Sequence, residues 1–151
     1  MNTKQKGFSL IELLIVVAII LIIAAIAIPN LLRSKMAANE ASAVGSLRTI
    51  NTSSVAFAIT YGNYPTKLGD LGPSSSPTST AADLIDSALV TGTKSGYKFT
   101  YTASTTYQQY SIIAGPVNQN VTGQRYFFTD QSGVIRVNLT TTAKSTDNPL
   151  S

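Results

Sequence analysis

The sequence predicts an α+β protein, with one long N-terminal α-helix packed through its second half against a C-terminal antiparallel β-sheet. Two observations carry this. Residues 8–28, FSLIELLIVVAIILIIAAIAI, form an apolar run of 21 residues interrupted by one carboxylate, and helical composition resumes directly after it. The last third of the chain holds four short runs rich in aromatic and β-branched residues, separated by Gly, Asp and Ser.

The apolar run comes first. As a helix it spans roughly 31 Å, the thickness of a bilayer's hydrocarbon core. A secretory signal has a shorter apolar region of roughly 7–15 residues and a small-residue cleavage site behind it. Here Pro29 and Asn30 follow instead. Lys4 and Lys6 precede the run and place the N-terminus on the cytoplasmic side, although Arg33 and Lys35 at the other end compete with that signal.

Glu12 is the anomaly of the segment. A carboxylate at bilayer depth costs a few kcal/mol and usually has a partner. No cation lies near it within the apolar run. Two readings stand side by side: a carboxylate tolerated or protonated near the headgroups, or a charge whose partner comes from another chain.

Residues 31–61 read as an amphipathic helix. Ala43, Leu47, Ile50, Ser54, Phe57, Ala58 and Tyr61 recur at steps of three and four and share one stripe. Joined to the apolar run, this makes one helix of about 50 residues. Pro29 lies between the halves, either as a kink or as a helix end.

GNYPTKLGDLG, residues 62–72, is a loop by its Gly, Pro and Asn content, and PSSSPTST, residues 73–80, is an exposed low-complexity loop. ADLIDSALVTG, residues 82–92, suits a short helix closed by Gly92, with Asp83 and Asp86 on one face. Strands are expected over residues 96–102, 107–115, 125–129 and 134–139, in a sheet of three or four strands. DQSG, residues 130–133, is a hairpin turn. The tail TTTAKSTDNPLS lacks apolar content and is expected to be mobile.

Composition closes several routes. The chain has no Cys and no His. That excludes disulfides, thiolate or imidazole catalysis, and Cys or His metal sites. The formal charge of +4 falls to about +2 without Lys4 and Lys6, and the remaining basic residues are scattered, so no nucleic-acid partner is inferred. Ser95 and Lys98 fit S-x-x-K, but positions three apart on a strand face opposite ways. Asp130 reads as a turn aspartate rather than a calcium ligand, since no dense oxygen cluster surrounds it. Asn51, Asn120 and Asn138 match the N-x-[ST] pattern, which by itself identifies no modification.

Lys6-Gly7-Phe8-Ser9-Leu10-Ile11-Glu12-Leu13-Leu14 resembles the N-terminal motif of type IV pilins and of type II secretion pseudopilins. The resemblance is strong over the first thirty residues and holds in outline beyond them. It implies a pilin fold, cleavage between Gly7 and Phe8 by a prepilin peptidase, and methylation of the new N-terminus to N-methylphenylalanine. Glu12 becomes the fifth residue of the mature chain, and in this family the acid faces the terminal amine of an adjacent subunit. Pro29 matches a proline around which assembled filaments lose helicity.

The implied division is a leader over 1–7, a membrane and filament-core helix over 8–29, the amphipathic half over 30–61 and a head over 62–151. The implied function is structural rather than enzymatic: a subunit of a type IV pilus-like filament, stored in the inner membrane and assembled by dedicated machinery into a homo-oligomeric extracellular or periplasmic filament. The alternative is a major pseudopilin of a type II secretion system. A membrane-anchored periplasmic enzyme or binding module would leave Gly7, Phe8 and Glu12 without a role. No catalytic residue, cofactor or metal is assigned.

Overall fold

The computed structural model describes residues 7–150. Helix α1 runs over Leu10–Tyr61. After it come a 3₁₀ turn at Leu68–Leu71, a one-turn helix α2 at Ser87–Val90, and strands β1 (Thr93–Lys94), β2 (Tyr97–Ala103), β3 (Tyr110–Pro116), β4 (Tyr126–Asp130) and β5 (Arg136–Asn138). The chain divides into two compact units, one ending at Ser34 and the other beginning at Lys35.

The second unit is built on the sheet. Its five strands pair antiparallel in chain order, β1-β2-β3-β4-β5. Side chains alternate across a strand, so the register decides which residues meet on the inner face. Phe99 sits opposite Ala114, Ala114 opposite Phe127, and Ile112 opposite Thr129. All five are buried, and they pack with Leu47, Ile50 and Phe57 of α1 in one apolar cluster completed by Leu71 and Leu89. The expected stripe of α1 is the one that faces in: Ala43, Leu47, Ile50, Ser54 and Phe57 are buried, and Ala58 and Tyr61 are half-buried.

The same face of α1 also buries polar groups that apolar periodicity does not mark. Asn51 Nδ2 donates to Thr129 Oγ1 at 2.8 Å, and the Tyr110 hydroxyl donates to Asn51 Oδ1 at 3.0 Å. This chain of bonds ties α1 to β3 and β4. Burial of Asn51 also removes it as a glycan acceptor, since its side chain is engaged in the core.

A second tie lies one helix end away. Glu40, only 7% exposed, accepts from the Gln124 N–H at 2.8 Å, the Arg125 N–H at 3.2 Å and Arg125 Nε at 2.7 Å. Asn39 Nδ2 donates to the Thr122 carbonyl at 2.8 Å. The loop between β3 and β4 is thus held on α1 by adjacent residues. Gly123 is required there: a Cβ would overlap the Tyr97 hydroxyl, which itself donates to the Arg125 carbonyl at 2.8 Å.

Four expectations are corrected. The sheet has five strands, because Ser95 and Gly96, both at positive φ, form the two-residue turn of a short hairpin that adds β1. The helix expected over residues 82–92 is limited to Ser87–Val90. Asp83 sits at φ 56° before it and Asp86 caps it, donating nothing but accepting from Leu89 N–H at 2.8 Å, so the two acids share no helix face. The loop over residues 62–72 contains the 3₁₀ turn, organised by Asp70 Oδ2, which accepts from Thr66 N–H at 2.8 Å and Thr66 Oγ1 at 2.6 Å.

The tail is the fourth. It folds back along β5: Val137 N–H donates to the Asn148 carbonyl at 3.0 Å and Leu150 N–H to the Ile135 carbonyl at 2.7 Å. Arg136 Nη1 donates to the Asp147 carbonyl at 2.8 Å, Ala143 is buried, and Leu150 packs on the core. Main-chain pairing with an edge strand holds a segment whose side chains carry almost no apolar signal. The expected turn at residues 130–133 is present. Asp130 Oδ1 accepts from Ser132 N–H at 2.9 Å, Gly133 N–H donates to the Asp130 carbonyl at 2.9 Å, and Gly133 adopts φ 74°. Ser95 receives a hydrogen bond from Ser42 in the turn before β2, while Lys98 lies exposed on β2.

Two predictions follow from these ties. A fragment beginning at Lys35 should be soluble and unfold cooperatively, and Asn51→Ala should cost it roughly 2 kcal/mol, because the Tyr110 hydroxyl and Thr129 lose their buried partner. Chemical denaturation followed by circular dichroism measures both. Burial raises the Glu40 carboxyl, but the Gln124 and Arg125 N–H groups and the guanidinium outweigh it and hold the group below its ordinary value of 4.5. A depressed folded value stabilises above the unfolded one, so this contribution is complete above about pH 4.5 and is lost as pH falls through the folded value. Glu40→Gln should therefore lower stability at pH 7 and flatten the acid limb of the stability profile.

Candidate assembly site

The first unit contains the residues singled out from the N-terminal motif. Lys4 and Lys6 lie outside the described residues. Gly7, Phe8 and Ser9 are non-helical, and α1 starts at Leu10. A Cβ on Gly7 would meet nothing within 4 Å, and Phe8 is 77% exposed. The Gly7–Phe8 bond thus lies in open, irregular backbone one residue before the helix cap. A protease must draw its substrate into an extended form, and no helical hydrogen bond has to break here.

Glu12 has a hydrogen-bond partner within the chain, though not a cation. Ser9 is the N-cap, and its backbone N–H donates to Glu12 Oε2 at 2.9 Å, while its carbonyl accepts from Leu13 N–H at 3.2 Å. A carboxylate three residues after the cap that reaches back to the cap's N–H is half of a capping box. It also sits where the helix dipole favours negative charge. The S-x-x-E spacing of Ser9 and Glu12 is the sequence signal for this role, and apolar periodicity does not reveal it. The bond uses one carboxylate oxygen and no cation. The second carboxylate oxygen of Glu12 is left for a further donor.

Beyond Glu12 the helix offers only apolar surface. Leu13, Leu14, Ile20, Leu21, Ile22 and Ile26 are each more than half exposed, and no residue of the most apolar 18-residue stretch is buried. Among the described residues this is one helix long and apolar enough to cross a membrane. Pro29 lies inside α1, which continues through it. Proline has no N–H, so the Ala25 carbonyl lacks its usual intrahelical donor. The structure brings Gly7, Phe8 and Glu12 together at the start of α1 and puts Pro29 about 25 Å further along it at helical rise.

Residues 2–28 match the family described as "Prokaryotic N-terminal methylation motif". That match falls on the residues that form the cap and the unburied helix. The N-terminal part of the chain is similar to that of type IV pilins and of type II secretion pseudopilins. It is 45% identical over 56 residues to the type IV major pilin protein PilA of Myxococcus xanthus, covering 37% of this chain and 26% of that one. It is 62% identical over 37 residues to the type IV wide pilus major component PilA4 of Thermus thermophilus, covering 24% and 28%. It is 29% identical over 72 residues to the type II secretion system core protein G of Dickeya chrysanthemi, covering 48% and 47%. In each case the matched segment spans less than half of the curated relative's length. No solved structure matches the chain.

The capping bond has a measurable consequence. Glu12→Ala removes a charge-assisted bond worth roughly 1 kcal/mol net, so the first turn should open about fivefold more often. Amide exchange of the full chain in detergent micelles should quicken for residues 9–13 and stay unchanged from residue 40 onward.

Proposed function

We propose that this chain is a structural subunit of a type IV pilus-like filament. The observation that carries the reading is the conjunction at the start of α1: an open Gly7–Phe8 bond, the Glu12 carboxyl in the first turn, and then a long apolar surface that the described residues do not bury. An anchor needs the apolar surface alone. A subunit that leaves the bilayer for a bundle of its own copies needs that surface and a means of setting register within the bundle.

In this reading a prepilin peptidase cuts between Gly7 and Phe8, and Phe8 becomes N-methylphenylalanine. The subunit waits in the inner membrane with its N-terminus cytoplasmic. Pilus or secretion machinery then transfers it into a helical homo-oligomer, where neighbouring apolar helices replace lipid. Glu12 accepts the charged amine of a neighbour's Phe8. In a low-dielectric surrounding, such a pair left without one partner costs several kcal/mol, which penalises a subunit docked out of register. Pro29, which has already removed one helical bond, is the place where α1 gives way as subunits pack.

The second reading, a major pseudopilin of a type II secretion system, is favoured by the similarity to core protein G from Dickeya chrysanthemi and from Escherichia coli. It shares the processing and pairing steps and differs in filament length and location.

Mass spectrometry of shear-released extracellular filaments tests both points. The expected result is this chain as the main component, beginning at Phe8 with one added methyl group. A Met1 start in assembled material contradicts the processing. Correct processing with the chain confined to short periplasmic filaments decides for the pseudopilin.

A further inference from the structure

A cavity of about 380 Å³ opens in the second unit between the end of α1, the loop after it and the turn between β2 and β3. That volume lies at the small end of small-molecule sites, which combine apolar walls with a few placed polar groups. Three tyrosines line it, Tyr61, Tyr64 and Tyr107, over the buried ring of Phe57. The rim carries Asn63, Ser79 and Thr80, with Lys67 and Asp70 beside them. Phe57 belongs to the core, and Tyr61 and Tyr64 pack against it, whereas Tyr107 stands outside that cluster.

Tyr107 is the unexpected element. Its φ is 55°, a left-handed conformation that a bulky residue adopts at a cost. The backbone around it is fixed all the same. Tyr107 N–H donates to the Ser104 carbonyl at 3.0 Å, and the Tyr107 carbonyl accepts from Tyr64 N–H at 2.9 Å. Gln108 Nε2 donates to Asn63 Oδ1 at 2.6 Å. The turn and the loop are therefore cross-braced, yet Tyr107 is 42% exposed. Core packing does not account for a part-exposed aromatic residue held on a strained, braced turn. Glycine would fit this backbone without strain.

The geometry points to a binding site for a neutral saccharide, with the Tyr107 ring stacked on the apolar face of a sugar and the rim groups bonding its hydroxyls. Tyrosine presents a flat apolar face with a polar tip, which suits a ligand that is apolar on its ring faces and polar at its edge. Charge selects among ligands that stack. Lys67 and Asp70 cancel formally, and Asp70 Oδ2 is already occupied by three donors from Thr66 and Lys67. A single-stranded nucleic acid would need a positive groove along its backbone, and the rim supplies one cation. A quaternary ammonium ligand would meet Lys67 at the mouth.

The test uses the full chain in a detergent without a sugar headgroup, with a panel of neutral hexose tetrasaccharides, oligothymidylate as the competing class, and ligand-observed saturation-transfer NMR. Binding by the single chain does not depend on polymerisation, so it is independent of the filament reading. The expected result is saturable binding of at least one neutral tetrasaccharide, unchanged between low and high salt. Tyr107→Phe should retain it within about threefold. Tyr107→Gly should weaken it at least tenfold while the melting temperature holds or rises, because the strained backbone is relieved. Absence of binding across the panel overturns the proposal, as does undiminished binding by Tyr107→Gly. Oligothymidylate binding that salt abolishes, without saccharide binding, reassigns the cavity and also overturns it. Were Tyr107→Gly to melt lower, the ring would be structural and the strain argument would fall.

Discussion

An apolar helix surface that the chain itself does not cover is the constraint on which the rest depends. The side chains from Leu10 to Ile28 are mostly more than half exposed among the described residues. Water is not an acceptable neighbour for that much apolar area. Lipid is one cover, and further copies of the same helix are another. Between two apolar environments the hydrophobic effect gives little preference, so transfer from bilayer to bundle is close to neutral in that term. What distinguishes the two states is then polar. In the proposed filament the carboxyl in the first turn is such a term, since lipid offers it nothing and a neighbour's amine would offer it a partner.

The hydrogen bond from Ser9 to Glu12 refines this picture. The carboxylate caps its own helix, which keeps the first turn wound immediately after the Gly7–Phe8 bond. Capping engages one oxygen. The pairing proposed for the filament adds a donor to a group already oriented by the helix start, so the side chain gives up little rotamer freedom on docking. Under that proposal one residue would serve storage and assembly with the same geometry. In the second unit, the Asn51 and Glu40 contacts perform a comparable service for the head. They fix α1 in register against β3, β4 and the loop between them, where an apolar stripe alone would tolerate a slide.

Much of this was legible in the sequence because it depends on pattern. The 21-residue apolar run, the stripe from Ala43 to Tyr61, the alternation in YKFTYT and YSIIAG, and the Gly at the end of DQSG each follow from periodicity or a backbone requirement. The N-terminal motif stood out for the same reason: Gly7, Phe8 and Glu12 have a fixed order. What stayed hidden depends on partners far apart in the chain. Glu40 looks like any exposed helix acid until Gln124 and Arg125 are folded onto it, and Asn51 looks like a surface residue until Thr129 and Tyr110 arrive. The tail from Leu139 onward shows no apolar pattern, since its order comes from main-chain bonds to β5 and from single residues such as Ala143. Tyr107 reads as strand-forming, and its left-handed turn is set by the bracing of residues 63–64 and 104–109. Glu12 is the mixed case. Its position was evident, while the cap it forms with Ser9 required recognising S-x-x-E inside an apolar segment.

The central claim is that Glu12 acts between subunits as well as within one. Glu12→Leu separates that claim from anchoring, because it removes the charge that lipid disfavours. In a strain lacking the native copy, the membrane pool and the shear-released filament pool of the variant would be quantified side by side. The account predicts a membrane pool at least as large as that of the unaltered chain, cleaved after Gly7, with filament yield reduced at least tenfold. A normal filament yield from Glu12→Leu would contradict it.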